Sequence, residues 1–251
     1  MQSIKEIQDI LSTLDVSDDQ LAQFQQDKRK GVQNALNKYR KKLLKQEELR
    51  QAFQERMKYE KPLWQQQQIV AGVDEVGRGP LAGPVVCAAV VLPNNNTLYE
   101  VNDSKQLSDK KRRKLFQDIC EQALDISIGV GSAELIDKEN IYHATELVMK
   151  QAVESLNLKP TYLLVDAMTV PVDIAQQKII KGDANSVSIA AASIVAKEIR
   201  DDLMKTYDQV YPGYDFSHNV GYGTKNHLEG LREMGACPIH RKTFAPIKDI
   251  L

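Results

Sequence analysis

Three apolar runs of this chain stop on acids. "IVAGVDEV" at 69–76 carries Asp74 and Glu75, "YLLVDAM" at 162–168 carries Asp166, and "IIKGDA" at 179–184 carries Asp183. Charge near a hydrophobic core is costly unless it is paired or bound to a cation. One such acid taken alone is most often a turn former or a helix cap, and Asp183, just before a helical stretch, fits that role. Three repetitions constrain the fold more. If neighbouring strands of one sheet set these tips side by side, the acids form an oxygen-rich pocket with little lysine nearby to neutralise it. Such a pocket suits hard divalent cations, Mg2+ or Mn2+, which prefer carboxylate and water oxygens and keep positions open for a phosphate. Two such ions about 4 Å apart can activate a water on one side of a phosphodiester and offset charge on the leaving oxygen. Asp74 and Glu75 point to opposite faces of an extended strand, so a shared site requires one of them to sit at a strand end or bulge.

The chain of 251 residues has room for one sizeable core and a small appendage. Its 33 basic and 34 acidic residues leave a net charge of -1, so any affinity for nucleic acid must come from a local patch. Cys87, Cys120 and Cys237 show no CxxC spacing, and no secretory pattern opens the chain. These features predict a reducing cytoplasm. The longest apolar run, "VVCAAVVL", is far shorter than the roughly 20 residues that cross a bilayer, so no membrane association is expected.

Composition divides the sequence near residue 68. Residues 1–68 read as a small helical module: "SIKE" and "SDDQ" both fit the capping-box pattern. Ile4, Ile7, Leu11 and Leu14 share one helix face, and Leu36, Tyr39, Leu43, Phe53 and Met57 mark another stripe. "DKRKGVQNALNKYRKKLLK" sets Lys28, Arg29, Lys30, Lys38, Arg40, Lys41, Lys42 and Lys45 against the single acid Asp27. A charge run of this kind is usually a solvated face; as a phosphate-contacting surface it gains weight only if the rest of the chain handles nucleic acid. "WQQQQ" at 64–68 reads as a linker on which Trp64 can dock.

Residues 69–251 read as an α/β domain. Strands are expected at "IVAGVDEV", "VVCAAVVLP", "ALDISIGVGS", "TYLLVDAM" and "QKIIKGD", and helices at "NIYHATELVMKQAVESLN" and "SVSIAAASIVAKEIRDDLMKTYDQV". Three successive strands followed by strands interleaved with helices describe a mixed sheet.

The motifs "VAGVDEVGRGPLAGPVVCAAVVL", "DSKQLS", "LLVDAM", "KGDANSVSIAAASIVAKEIRD" and "GYGTKNH", in this order, resemble ribonuclease HII over about residues 69–245. The resemblance implies a ribonuclease H-like mixed five-stranded sheet flanked by helices. It implies metal-dependent hydrolysis of RNA in RNA/DNA hybrids and cleavage 5' to single ribonucleotides embedded in duplex DNA, leaving a 3'-hydroxyl and a 5'-phosphate. Asp74, Glu75, Asp166 and Asp183 match the family's metal-binding catalytic acids. Gly77, Arg78 and Gly79 match the loop that contacts the ribose 2'-hydroxyl, and Tyr222 matches the tyrosine that packs on the sugar at an RNA to DNA junction. Ser104 and Lys105 suit phosphate contacts. Gln106 stands where family members often have lysine. The resemblance says little about the helical module, which we expect to be a substrate-binding accessory to a monomeric enzyme.

Without the resemblance each of these residues has a plainer reading: the glycines as turn formers, Arg78 as a surface ion pair, Tyr222 as a loop anchor, Asp103 and Ser104 as caps. His143, His218, His227 and His240 lack tight ligand spacing and read as packing or capping groups, and the serines of "NSVSIAAAS" as packing choices, with no GxSxG elbow. Ribonuclease HIII is the nearest alternative, against which "GRG" counts. A non-catalytic nucleic-acid-binding protein is the other, and it leaves the four acids without a purpose.

Overall fold

The computed structural model describes residues 2–13 and 16–249, which fall into two compact units, Met1–Gln54 and Glu55–Leu251. The first contains α1 (Ile4–Thr13), α2 (Asp18–Gln26) and most of α3 (Lys30–Arg56). Both expected capping boxes form: the Ser3 N–H donates to Glu6 Oε2 at 2.7 Å while the Glu6 N–H donates to Ser3 Oγ at 3.2 Å, and Ser17 and Gln20 repeat the exchange. Ile7, Leu11, Phe24, Val32, Leu36 and Tyr39 make the apolar core, and Leu14 lies outside the described residues. The expected stripe fails at Leu43, which is 38% exposed. At 27 residues α3 outruns partners of 10 and 9 residues, so its later turns have no apolar face to meet within the cluster.

The second unit runs through α4 (Glu60–Gln65), β1 (Val70–Val76), β2 (Val85–Val91), α5 (Asp109–Gln122), β3 (Asp125–Gly131), α6 (Ala133–Glu139), α7 (Ile141–Glu154), β4 (Tyr162–Asp166), β5 (Ala175–Ile179), α8 (Gly182–Asn185), α9 (Val187–Val210), α10 (Phe216–Asn219) and α11 (Lys225–Met234). The strands form one sheet in the order β3-β2-β1-β4-β5. β1 and β2, and β2 and β3, are antiparallel; β1 and β4, and β4 and β5, are parallel. This is the mixed five-stranded sheet the motifs imply.

β2 is buried along its whole length because α7 covers one face of the sheet and α9 the other. Ala71, Val73, Cys87 and Ala89 pack with Val148, Met149 and Ala152 on the α7 side. On the α9 side the approach is closer still: a Cβ on Gly72 would stand 2.1 Å from the Ser188 carbonyl carbon, so only glycine lets helix and strand meet there. Trp64 packs at the edge of a smaller cluster formed by Val70, Leu164, Ile179 and Ile189. No helix among the described residues is long and apolar enough to cross a membrane.

β5 differs from expectation. It ends at Ile179, Lys181 takes a left-handed conformation (φ 54°), and Asp183 lies in the single turn α8 and not at a strand tip. The N-cap of α9 is Ser186, whose side chain accepts from the Ile189 N–H, so capping is not the role of Asp183.

Candidate active site

Parallel pairing of β1 with β4 aligns Val73 with Val165, so the next residues, Asp74 and Asp166, stand side by side at the sheet edge. Asp74 is 4% exposed. Its Oδ1 accepts the Glu75 N–H at 2.8 Å, and the Ser193 hydroxyl of α9 lies near enough to its carboxylate to favour the charged form. Burial holds the Asp74 carboxyl well above the usual carboxylate range, and the charges of Glu75 and then Asp166 push it further. Asp166 is also raised by burial, against the opposing bond from the Gly182 N–H, which donates to its Oδ1 at 2.6 Å.

Glu75 remains in the β1–β2 ladder opposite Cys87, so it leaves the strand on the face away from Asp74. Burial raises its pKa, Arg78 opposes and Asp166 adds to the rise. Arg78 Nη1 lies 3.4 Å from Glu75 Oε1, while Glu75 Oε2 is buried with no hydrogen-bond partner among the described residues. Asp183 Oδ2 lies 3.7 Å from Lys105 Nζ. Burial opposes charge on Lys105, but Asp183, Asp74, Asp103 and Asp166 together hold its ammonium above its ordinary pKa. Two cations thus reach the rim of a pocket where the apolar runs announce acids alone.

The charges of Glu75 and Asp166 reach Asp74, and that of Asp183 reaches Asp166, yet among the described residues no three His, Cys, Asp or Glu side chains are gathered into a ready-made cation cage. Their chemistry nevertheless fits a divalent ion. The donors are all carboxylate oxygens, Asp74 and Asp166 sit side by side with both pKa values raised by burial and that of Asp74 also by the Asp166 charge, and among the described residues a buried Glu75 oxygen lacks a partner.

The Gly-Arg-Gly loop follows β1 directly. Gly77 has φ +91°, and a Cβ there would meet the Arg200 Nε at 2.2 Å, so a side chain is excluded twice over. A Cβ on Gly79 would meet only Tyr222, whose Cε1 would be 3.5 Å away. The loop backbone and the half-exposed Tyr222 ring are thus brought together, as are Arg78 and Glu75, and Lys105 and Asp183. Ser104 is placed differently from a phosphate contact at a surface: it is buried, and its Oγ is 3.0 Å from the Ser193 Oγ behind Asp74.

A sheet in this order, with acids at the edge where its central parallel strands end, defines the ribonuclease H-like class of metal-dependent nucleases. The ribonuclease HII family model matches residues 71–247, and the ribonuclease HII N-terminal domain model matches residues 3–64. The chain is 57% identical to the ribonuclease HII of Latilactobacillus sakei over 250 residues, covering 100% of this chain and 98% of that one. It is likewise 57% identical to the Lactobacillus helveticus ribonuclease HII over 98% of each chain. The solved structure of ribonuclease H2 from Pyrococcus horikoshii superposes with a TM-score of 0.64 at 29% identity, over 72% of this chain and 96% of that one. The chain belongs to the ribonuclease HII family, metal-dependent endonucleases that hydrolyse RNA in RNA/DNA hybrids. The match to its N-terminal helices extends the likeness beyond the motifs.

Residues outside the sequence motifs' apparent chemistry complete the site. Ser193, one serine in an alanine-rich helix, joins Asp74 to Ser104. Arg200 and Arg241, 1% and 0% exposed, fasten the loops. Arg241 donates to the carbonyls of Gly77, Arg78 and Gly83; Arg200 donates to those of Ala82, Pro84 and Val220. Among the described residues neither has a carboxylate within ion-pair distance, and burial lowers their pKa values to about 9 and about 10, respectively. No spacing in the sequence separates these two from the other arginines.

Proposed function

We propose that this chain cleaves the phosphodiester on the 5' side of a ribonucleotide in RNA/DNA hybrids and in duplex DNA holding a single ribonucleotide, leaving a 3'-hydroxyl and a 5'-phosphate. The observation that carries this reading is the side-by-side pair Asp74 and Asp166, the first buried and the second half-buried, with burial opposing the ionisation of both. With Glu75 and Asp183 they would hold Mg2+ or Mn2+. A bound divalent ion would supply the Lewis acidity that makes water a nucleophile near neutral pH and offsets charge on the leaving oxygen. The protein's own part is positional. Ser193 orients the Asp74 carboxylate, Gly182 orients that of Asp166, and Lys105 and Arg78 bring positive charge to the rim where phosphates would lie.

In this reading the backbone of Gly77, Arg78 and Gly79 contacts the ribose 2'-hydroxyl, the group that separates RNA from DNA, and Tyr222 packs on the adjacent sugar. Lys105 contacts phosphate. Ser104 acts from behind Asp74 and supports the site through Ser193. The helical module within residues 1–68 is a substrate-binding accessory: Lys28, Lys30, Lys38, Arg40, Lys41, Lys42 and Lys45 are exposed, whereas Arg29 is tied to Asp27 at 2.6 Å. We assign the chain to the cytoplasm and to a monomeric state. The deciding experiment is incubation with a duplex containing one ribonucleotide, with and without Mg2+ or Mn2+. Cleavage 5' to the ribonucleotide only when metal is added is expected, and an uncut duplex under all conditions overturns the reading. Replacing Lys38, Arg40, Lys41 and Lys45 with Gln should weaken hybrid binding and flatten its salt dependence, and an unchanged salt slope would remove the module from the substrate path.

A further inference from the structure

His227 of α11 and His240 are 0% and 1% exposed and face each other with their Nε2 atoms 3.0 Å apart. Neither belongs to the acid cluster. Tyr214 and Phe216 enclose them, with ring centroids 5.0 Å from His240 and 5.1 Å from His227, respectively. The direction of the hydrogen bonds follows from one fixed donor. The backbone N–H of Cys237 lies 2.9 Å from His240 Nδ1, so that nitrogen accepts. A neutral His240 then carries its proton on Nε2 and donates it to His227 Nε2. His227 in turn carries its proton on Nδ1, which lies 2.9 Å from the Tyr222 carbonyl oxygen and donates to it. One chain of three bonds, running one way, connects the Cys237 amide to the Tyr222 backbone.

The far end of this chain is tied to the Gly-Arg-Gly loop. His240 pairs with Ala82, the Arg241 N–H donates to the Leu81 carbonyl at 2.9 Å, and the Arg241 side chain holds the carbonyls of Gly77 and Arg78. The Leu81 N–H returns the link by donating to the Gly221 carbonyl at 2.8 Å, next to Tyr222. We propose that His227 and His240 are positioning residues that set the Tyr222 ring against the Gly77–Gly79 backbone, and so govern how tightly a ribonucleotide-containing strand is held. This rests on the reading of Tyr222 as a sugar contact. Proton addition to either ring would turn an acceptor into a second donor and break the chain. Burial keeps both imidazoles neutral, lowering the His240 pKa to about 4 and that of His227 below its ordinary value.

Two substitutions separate positioning from packing. His227→Asn places an amide N–H where Nδ1 stands and keeps the bond to Tyr222; His227→Gln reaches toward His240 but has no donor for the Tyr222 carbonyl. On a duplex with one ribonucleotide, KM should stay within about twofold of wild type in His227→Asn and rise about fivefold or more in His227→Gln, with kcat nearly unchanged in both. In a Tyr222→Ala background His227→Gln should add nothing. Imidazole 15N spectra of the unaltered enzyme should place the protons on His240 Nε2 and His227 Nδ1. Equal behaviour of the two His227 variants, or a proton on His240 Nδ1, overturns this inference alone. If Tyr222→Ala itself leaves KM unchanged, the reading of Tyr222 falls and the inference with it.

Discussion

Two buried groups of charge in the catalytic unit are handled in opposite ways. Arg200 and Arg241 are as deeply buried as any side chain of the molecule, and their guanidinium donors are directed at backbone carbonyls. Asp74 is buried with Glu75 and Asp166 half-buried beside it; the charges of Glu75 and Asp166 oppose that of Asp74, and among the described residues one buried Glu75 oxygen has no hydrogen-bond partner. A satisfied buried ion stiffens what it touches, whereas an unsatisfied one raises the energy of the folded state until a counter-charge arrives. The protein places the first kind under the Gly77–Gly79 and Tyr222 loops and the second at the proposed metal site. Stability and activity are therefore expected to depend on different residues.

The largest test of that separation is Asp74→Asn, which should reduce cleavage by about 10³-fold or more while hybrid binding persists, as read by single-turnover cleavage and a binding titration. Near-normal cleavage would remove Asp74 from the chemistry. Next is Arg241→Met, which leaves three loop carbonyls without their donor; urea unfolding should show a loss of about 3–4 kcal/mol. A loss below about 1 kcal/mol would mean that the loop satisfies itself, and the contrast with the acids would weaken.

A smaller effect has the opposite sign. In the presence of a chelator Asp74→Asn should gain about 1–2 kcal/mol of stability near neutral pH, because it removes a buried charge that its neighbours oppose. The pH dependence follows from the raised carboxyl. Its proton is held more tightly in the folded state than in the unfolded one, so the aspartate's penalty is absent in acid and develops as pH rises through the folded value. The gain from Asn should vanish below the ordinary carboxylate range. The histidine pair works in the other direction. Its lowered pKa values give stability that is full above about 6.5 and is lost as pH falls toward about 4, with Tyr214 and Cys237 as the titratable neighbours packed against His240. Wild-type unfolding midpoints that rise from pH 4 to 6.5, and rise less once His240 is replaced by Gln, would bear this out; a flat profile in both proteins would count against a neutral pair.

Much of this was legible before any coordinates. Local signals sufficed for the two capping boxes in the helical module, for β1 to β4 and for α9, because each depends on neighbours within a few residues or on a strong period of apolar side chains. The motifs carried the family. The misreadings occurred where a local signal met a distant constraint. Leu43 continues a helical stripe, but the helices that would cover it are too short. Asp183 follows an apolar run, but Lys181 turns left-handed and moves it onto a helical turn. Lys105 beside Asp183 was not expected as a counter-charge, and the ion-pair reading of Arg78 named no acid, since nothing in an apolar run reveals which cation folds back upon it.

By itself the amino-acid order determined which segments could be strands and helices, where acids would end them, and which glycines would leave the backbone bare. These are properties of short stretches, settled by sterics and periodicity. Only the tertiary structure decided that Ser193 lies beside Asp74, that Arg200 and Arg241 out of many arginines lie in the dry interior, and that His227 and His240 join into one directed chain ending at Tyr222. Those choices join residues as many as 164 positions apart. Burial and hydrogen-bond direction belong to the place where such residues meet, and no spacing along the chain encodes that place.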